Sequence, residues 1–153
     1  MTPEERLERA GYTLPAPHVP VGNYAMAVRT GSLLFLSGHG AFDGGKPVHT
    51  GRLGENLSSE DGRLAAEAVM ASLLATTSAE LGSLSAVARV LKVVVFVNST
   101  SDFTEQHLVA NGATDLLVHA FGTANGRPAR SAVGVAALPL GFAVELEAII
   151  QTT

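Results

Sequence analysis

The sequence predicts an α+β domain, a single mixed β-sheet with two main helices packed on one face and a short extra helix at the N-terminus. Three observations lead there. The most β-branched run, Val87 to Val97, stands between two long segments with helical spacing. The other strand-like segments gather near the two ends of the chain, so runs of strands are grouped apart from helices and do not strictly alternate with them. Hydrophobic residues make up 46% of the chain and charged residues only 16%, more apolar character than a small domain buries alone, which points to a sheet face covered by another copy.

The elements follow in order. Thr2 to Ala10 reads as a short helix: Thr2 caps it, Pro3 suits its first position and Gly11 ends it. Tyr12 to Pro20 carries Pro15, Pro17 and Pro20, which suits an extended connector. Tyr24 to Arg29 and Ser32 to Gly38, joined at Thr30-Gly31, read as a β-hairpin. Gly38 to Glu55 is rich in glycine and reads as loop or loose hairpin. Without G-x-x-x-x-G-K-[ST] and a following helix, its glycines are turns and not a phosphate loop.

Ser58 or Ser59 caps a helix over about Glu60 to Leu81, with Leu64, Ala68, Ala71, Leu74 and Ala75 as its expected apolar stripe. Val87 to Val97 is the expected central strand. Asp102 is the expected cap of a second helix reaching Phe121, with Leu108, Leu116, Leu117 and Ala120 inward and Gly112 marking close packing. Ser131 to Leu138 and Phe142 to Ile150 are the last strands, turning at Leu138 to Gly141. Two parts result: residues 1–21 as N-terminal helix and connector, and residues 22–153 as the main domain.

Composition excludes several function classes. With no cysteine there are no disulfides, thiol nucleophiles or Cys-ligated zinc, which fits a reducing, cytoplasmic setting. A formal charge of −4 and 5% aromatic residues do not suit a nucleic-acid groove. The charged N-terminal residues are unlike a secretory signal, and no apolar run reads as a membrane span. The five histidines show no metal-ligand spacing, and no G-x-S-x-G supports serine catalysis.

The remaining candidates are few. His39 follows Ser37-Gly38 at a strand end, where binding residues often lie, although a hydrogen-bonded structural histidine fits as well. Glu145 and Glu147 are two apart on a strand and share a face, which is also the pattern of a solvated edge. Arg130 follows a Gly- and Pro-containing loop at a strand start, where its planar fork is well placed to bind a carboxylate. By position alone, a surface ion pair explains it equally well.

Beyond these single residues, the segment from Pro128-Ala-Arg-Ser through Leu138-Pro-Leu-Gly to Val144-Glu-Leu-Glu-Ala-Ile149 resembles the C-terminal signature of the Rid (YjgF-like) family. Asn23-Tyr24, Leu36-Ser-Gly38 and Val95-Phe-Val97 before Ser101-Asp102-Phe103 recur at compatible spacings, so the resemblance covers about Gly22 to Ile150. It implies a chorismate mutase-like fold, a homotrimer with clefts between subunits, and hydrolysis of small 2-imino or enamine acids to 2-oxo acids and ammonia without metal or organic cofactor. Arg130 would grip the substrate carboxylate and Glu145 would place the attacking water. Tyr24, the backbone at Gly38, His39, Ser131 and Ala132 would line the cleft. Ala132 stands where deaminating members usually carry cysteine, and His39 where they carry glutamine, which marks a side branch. The alternative is a non-catalytic homotrimer that binds a small carboxylate metabolite. Ribonuclease activity, attached to relatives by name, is disfavoured by the acidic charge.

Overall fold

The computed structural model describes residues 1–153. Its helices are α1 (Pro3–Arg9), α2 (Ser59–Leu81) and α3 (Gln106–Gly126). Its strands are β1 (Ala27–Thr30), β2 (Leu33–His39), β3 (Phe42–Asp43), β4 (Lys46–Pro47), β5 (Val87–Asn98), β6 (Ala129–Val135) and β7 (Val144–Thr152). Five strands form one sheet in the order β1-β2-β7-β5-β6, and β3 and β4 make a separate small hairpin. Only β5 and β6 run parallel, because α3 crosses over between them; every other neighbour is antiparallel. The sheet is therefore mixed, as expected, and β5 is bonded on both sides.

The helices cover one face. Along β7, Val144, Leu146, Ala148 and Ile150 are buried, while Glu145, Glu147 and Ile149 alternate with them on the other side. Leu73 and Leu74 of α2 and Leu116 and Leu117 of α3 join those β7 residues and Val93, Val95 and Val97 of β5 in one hydrophobic core. At about 1.5–3 kcal/mol per fully buried large side chain, this core is the main source of stability. Leu7 of α1 belongs to the same core, so the N-terminal helix packs onto the main domain. Thr2 and Glu5 cap it reciprocally, and Arg6 donates to the Ala120 carbonyl of α3.

Close packing of α2 on α3 depends on Gly112. A β-carbon there would collide with the Arg63 carbonyl of α2. Gly62 plays the matching part, since its β-carbon would lie 2.7 Å from Val109. The helix pair thus approaches through small residues, as the glycine within an otherwise apolar helix predicts.

Several expected details shift. The buried side of α2 includes Gly62, Ala65, Ala66, Val69, Met70 and Leu73; of the expected stripe, Leu74 and Ala75 are buried, Ala68 and Ala71 pack against the core, and Leu64 is 42% exposed. Small apolar residues surround this helix, so spacing alone does not choose its inner face. The helix is in fact long and apolar enough to cross a membrane by length and composition, contrary to the expectation that no run is. Here its apolar side is occupied by the sheet and α3. Ser58 is its cap, with Asp61 closing a capping box.

The start of α3 lies at Glu105, not Asp102. The Asp102 carboxylate instead accepts from the Thr100 hydroxyl at 2.8 Å, which spends it in the preceding turn. Leu108 is 40% exposed, and Val109 and Ala113 take the inward positions with Leu116, Leu117 and Ala120. The backbone breaks helical geometry at Gly122 (φ 76°), just past the expected end. Tyr24 to Met26 lie outside β1, β6 begins two and ends three residues before the expected strand, and β7 begins and ends two residues after it. Their ends follow pairing with β5, from Lys92 opposite Ala129 to Asn98 opposite Val135.

Candidate functional site

The uncovered sheet face carries a cavity of about 710 Å³ near the end of β2. Tyr24, Gly38 and Glu145 line it together, with Glu147, Phe42 and Phe142. Three local features build it. The β2–β7 register slips between Leu36 and His39, so three residue steps on β2 face two on β7. This bulge at Ser37-Gly38 breaks the in-out alternation and leaves backbone at the cavity. Ser37 secures it by donating from its hydroxyl to the Ala25 carbonyl at 2.6 Å. At Gly38 a β-carbon would sit 3.2 Å from Glu145 Oε2, so the carboxylate packs against bare backbone there.

Glu145 is half-buried, makes no ion pair, and has its pKa pushed up by that burial. A carboxyl group in this setting keeps its proton to higher pH than an ordinary one. Glu147, two residues on, stands at the exposed rim. The expectation that the two glutamates share a face holds.

His39 lies behind the cavity, not in it. Its ring is fully buried on the helix side. Nδ1 lies 2.6 Å from the Ser37 carbonyl, which only accepts, so Nδ1 carries the proton and donates. Nε2 then accepts from the Thr76 hydroxyl of α2 at 2.9 Å. Burial pulls its pKa down to about 4, which keeps the imidazole neutral. The bulge that presents Gly38 outward is what turns the next side chain inward, so His39 supports the cavity floor without lining it.

Arg130 is placed elsewhere. It pairs with Val93, whose side chain is in the core, so it stands on the helix side of the edge strand β6. Its guanidinium donates to Asn111 Oδ1 at 2.8 Å, Thr114 Oγ1 at 3.2 Å and the His107 carbonyl at 3.3 Å, all on α3. Every partner is neutral. The ion pairs of the chain are Arg63 with Glu60 and Arg63 with Glu67, so Arg130 has no anionic partner. It borders a shallow depression of about 370 Å³ with Asn111, Thr114 and Arg127.

Glu145 pairs with Phe96 on the opposite face, so one chain does not bring Arg130 and Glu145 into a common cavity. Ser131, opposite Val94, is exposed on the uncovered face and accepts from Lys92 Nζ at 3.4 Å. Ala132 shares the helix side with Arg130 and packs against the core. Asn111 and Thr114 are not among the site residues expected from the sequence. Their signal is two polar residues three apart, on one side of an apolar helix.

With this geometry the chain can be compared with known proteins. A family model described as Endoribonuclease L-PSP matches residues 15–152. The chain belongs to the Rid (YjgF-like) family. The match begins within the connector, before Gly22, and leaves α1 outside it. "Protein TCP17" of Trypanosoma cruzi is 45% identical over 145 residues, 95% of this chain and 91% of that one. A solved structure of an Agrobacterium tumefaciens protein of unknown function is 39% identical with a TM-score of 0.90, covering 99% of this chain and 92% of that one. Escherichia coli TdcF, solved with bound serine, is 25% identical with a TM-score of 0.61, covering 93% and 97%.

Proposed function

We propose that this Rid-family protein hydrolyses small 2-imino or enamine carboxylic acids to 2-oxo acids and ammonia. The observation that carries the reading is Arg130: a cation held in place by three neutral acceptors and in no ion pair, with Asp115 the one carboxylate of its own chain bordering the same depression. A planar fork in that state binds a carboxylate bidentately. The serine found on TdcF, a small amino carboxylate, fits this.

The cleft that uses both Arg130 and Glu145 is then completed by a second copy of the chain, in a homotrimer of chorismate mutase-like arrangement. Exposed Val28, Phe35 and Val133 on the uncovered sheet face support such an assembly. Glu145 accepts a proton from a water whose oxygen bonds to the imine carbon. The C=N π pair moves to nitrogen, giving a carbinolamine. Glu145 returns its proton to that nitrogen, the C–N bond breaks with its pair leaving on ammonia, and the hydroxyl gives up its proton as the C=O forms. Imines hydrolyse readily, so orientation of water and substrate supplies most of the acceleration. The chemistry calls for no cofactor.

Ala132, where the resemblance expects cysteine, favours a second reading: a non-catalytic homotrimeric binder of a small carboxylate metabolite. Nucleic acid is disfavoured as a substrate, because the cavity is lined by Glu145 and Glu147 and by no lysine or arginine.

The test is to generate 2-iminopropionate and larger imines in situ with an amino-acid oxidase and follow their loss. Arg130→Ala is expected to lower kcat/KM about 100-fold or more, the effect of losing a charged bidentate contact. Glu145→Gln is expected to remove turnover while binding of a stable 2-oxo acid survives. No acceleration of any imine by the wild-type protein would leave the binder reading.

A further inference from the structure

The connector ahead of the sheet contributes a side chain to the cavity that the family resemblance does not assign. His18 lines the cavity of Gly38 and Glu145, and also an adjoining groove of about 580 Å³ bordered by Pro15, Pro17, Asp43 and Ser72. The two spaces share Val21 and Phe42 as well, so the imidazole stands in the wall between them. Its orientation is held by stacking. The ring lies over Phe42 with centroids 4.4 Å apart and planes at 14°, and Phe42 in turn meets Phe142 edge-on at 5.2 Å. Pro17 and Pro20 stiffen the backbone on either side.

A stacked ring keeps its edge available, and no intramolecular hydrogen bond uses either nitrogen of His18, whereas both nitrogens of His39 are used. The titratable groups around it are His39, with centroids 6.4 Å away, Asp43 of β3, Tyr24, and Glu145 and Glu147 of β7. Burial lowers its pKa, so near neutral pH the ring is uncharged and offers one donor and one acceptor. That makes a proton donor of it only poorly, but a hydrogen-bonding partner readily.

We propose that His18 is a specificity-determining residue of this cavity, hydrogen-bonding the side chain of the bound acid and favouring uncharged polar side chains such as amides. A neutral amide matches one donor and one acceptor. An acidic side chain meets the carboxylates of Asp43, Glu145 and Glu147, and an apolar one leaves the ring edge unpaired. The assignment rests on the carboxylate-binding reading of the same site.

The test compares imines derived from glutamine, methionine and glutamate, three side chains of similar length. Wild-type kcat/KM is expected to favour the glutamine imine over the methionine imine about 10-fold, with the glutamate imine lowest. His18→Phe keeps the stack on Phe42 and removes the hydrogen bonds. It should erase the preference for glutamine over methionine while the methionine value stays within about twofold. His18→Asn should restore part of it. The corresponding stable 2-oxo acids, titrated by calorimetry, give the same comparison without turnover. Discrimination in binding with no hydrolysis would sink the hydrolase reading and keep His18. Hydrolysis or binding with an unchanged preference in His18→Phe would overturn the role of His18, and so would an equal fall for every substrate. Absence of both hydrolysis and binding would overturn both.

Discussion

The two faces of the sheet differ although the same strands supply them. On β7, Leu146, Ala148 and Ile150 disappear under α2 and α3, while Glu145, Glu147 and Ile149 face outward one residue away. On the covered face His39 has both ring nitrogens bonded, and Arg130 is held by three neutral acceptors. The uncovered face leaves Phe35 and Val133 exposed and holds a half-buried carboxyl with no ion partner. The covered face is core except at its β6 edge, where Arg130 is left as a cation for a ligand, and the uncovered face waits for a ligand or another subunit. Along β7 itself, core and cavity residues are separated by the two-residue period of a strand.

Substitutions can break that contrast. The largest effect is expected from Leu146→Ala, which empties part of the covered face and should cost about 2–5 kcal/mol in denaturant unfolding. Gly112→Val should follow at about 3 kcal/mol, because the new side chain meets the Arg63 backbone carbonyl, which cannot rotate away. An equal loss from Phe35→Ala would mean that the two faces share the work of folding.

Two pH experiments sharpen it. The folded His39 has a pKa lowered from 6.5 to about 4, so stability from the neutral ring is present above pH 6.5 and lost as pH falls toward 4. Thermal melts of His39→Gln should lack that acid step. Glu145 shifts the other way: its raised pKa means a contribution present in acid and lost as pH rises through the folded value. Glu145→Gln should therefore raise the melting temperature at neutral pH and match wild type in acid. The smallest effect on folding is expected from Phe35→Asp, within about 0.5 kcal/mol for the isolated chain. Sedimentation of that variant should nevertheless show smaller assemblies if the uncovered face joins subunits.

How much of this was legible in the sequence varies by element. The hairpin at Thr30-Gly31, a cap at Ser58 or Ser59, the β5 strand and the meaning of Gly112 were all readable, because each depends on neighbours in sequence or on a single backbone requirement. The inner face of α2 was readable in part: Leu74 and Ala75 are buried as expected but Leu64 is exposed, since small apolar residues lie on several of its sides and only the docking of α3 selects among them. Asp102 misled because a carboxylate can cap a helix or close a turn, and the nearby Thr100 hydroxyl decided for the turn.

The candidate site divides the same way. By itself the sequence determined the family, the placement of Glu145 and Glu147 on one face, and Arg130 as a cation at the start of an edge strand. Those properties follow from ordered motifs and from the alternation of a strand. Only the tertiary structure decided that a bulge sends His39 inward while Gly38 stays at the cavity, that Arg130 and Glu145 stand on opposite faces, and that His18 reaches the cavity from far along the chain. Register slips and contacts between distant segments set those outcomes. Both are fixed by how the whole sheet packs, and no local pattern of residues records them.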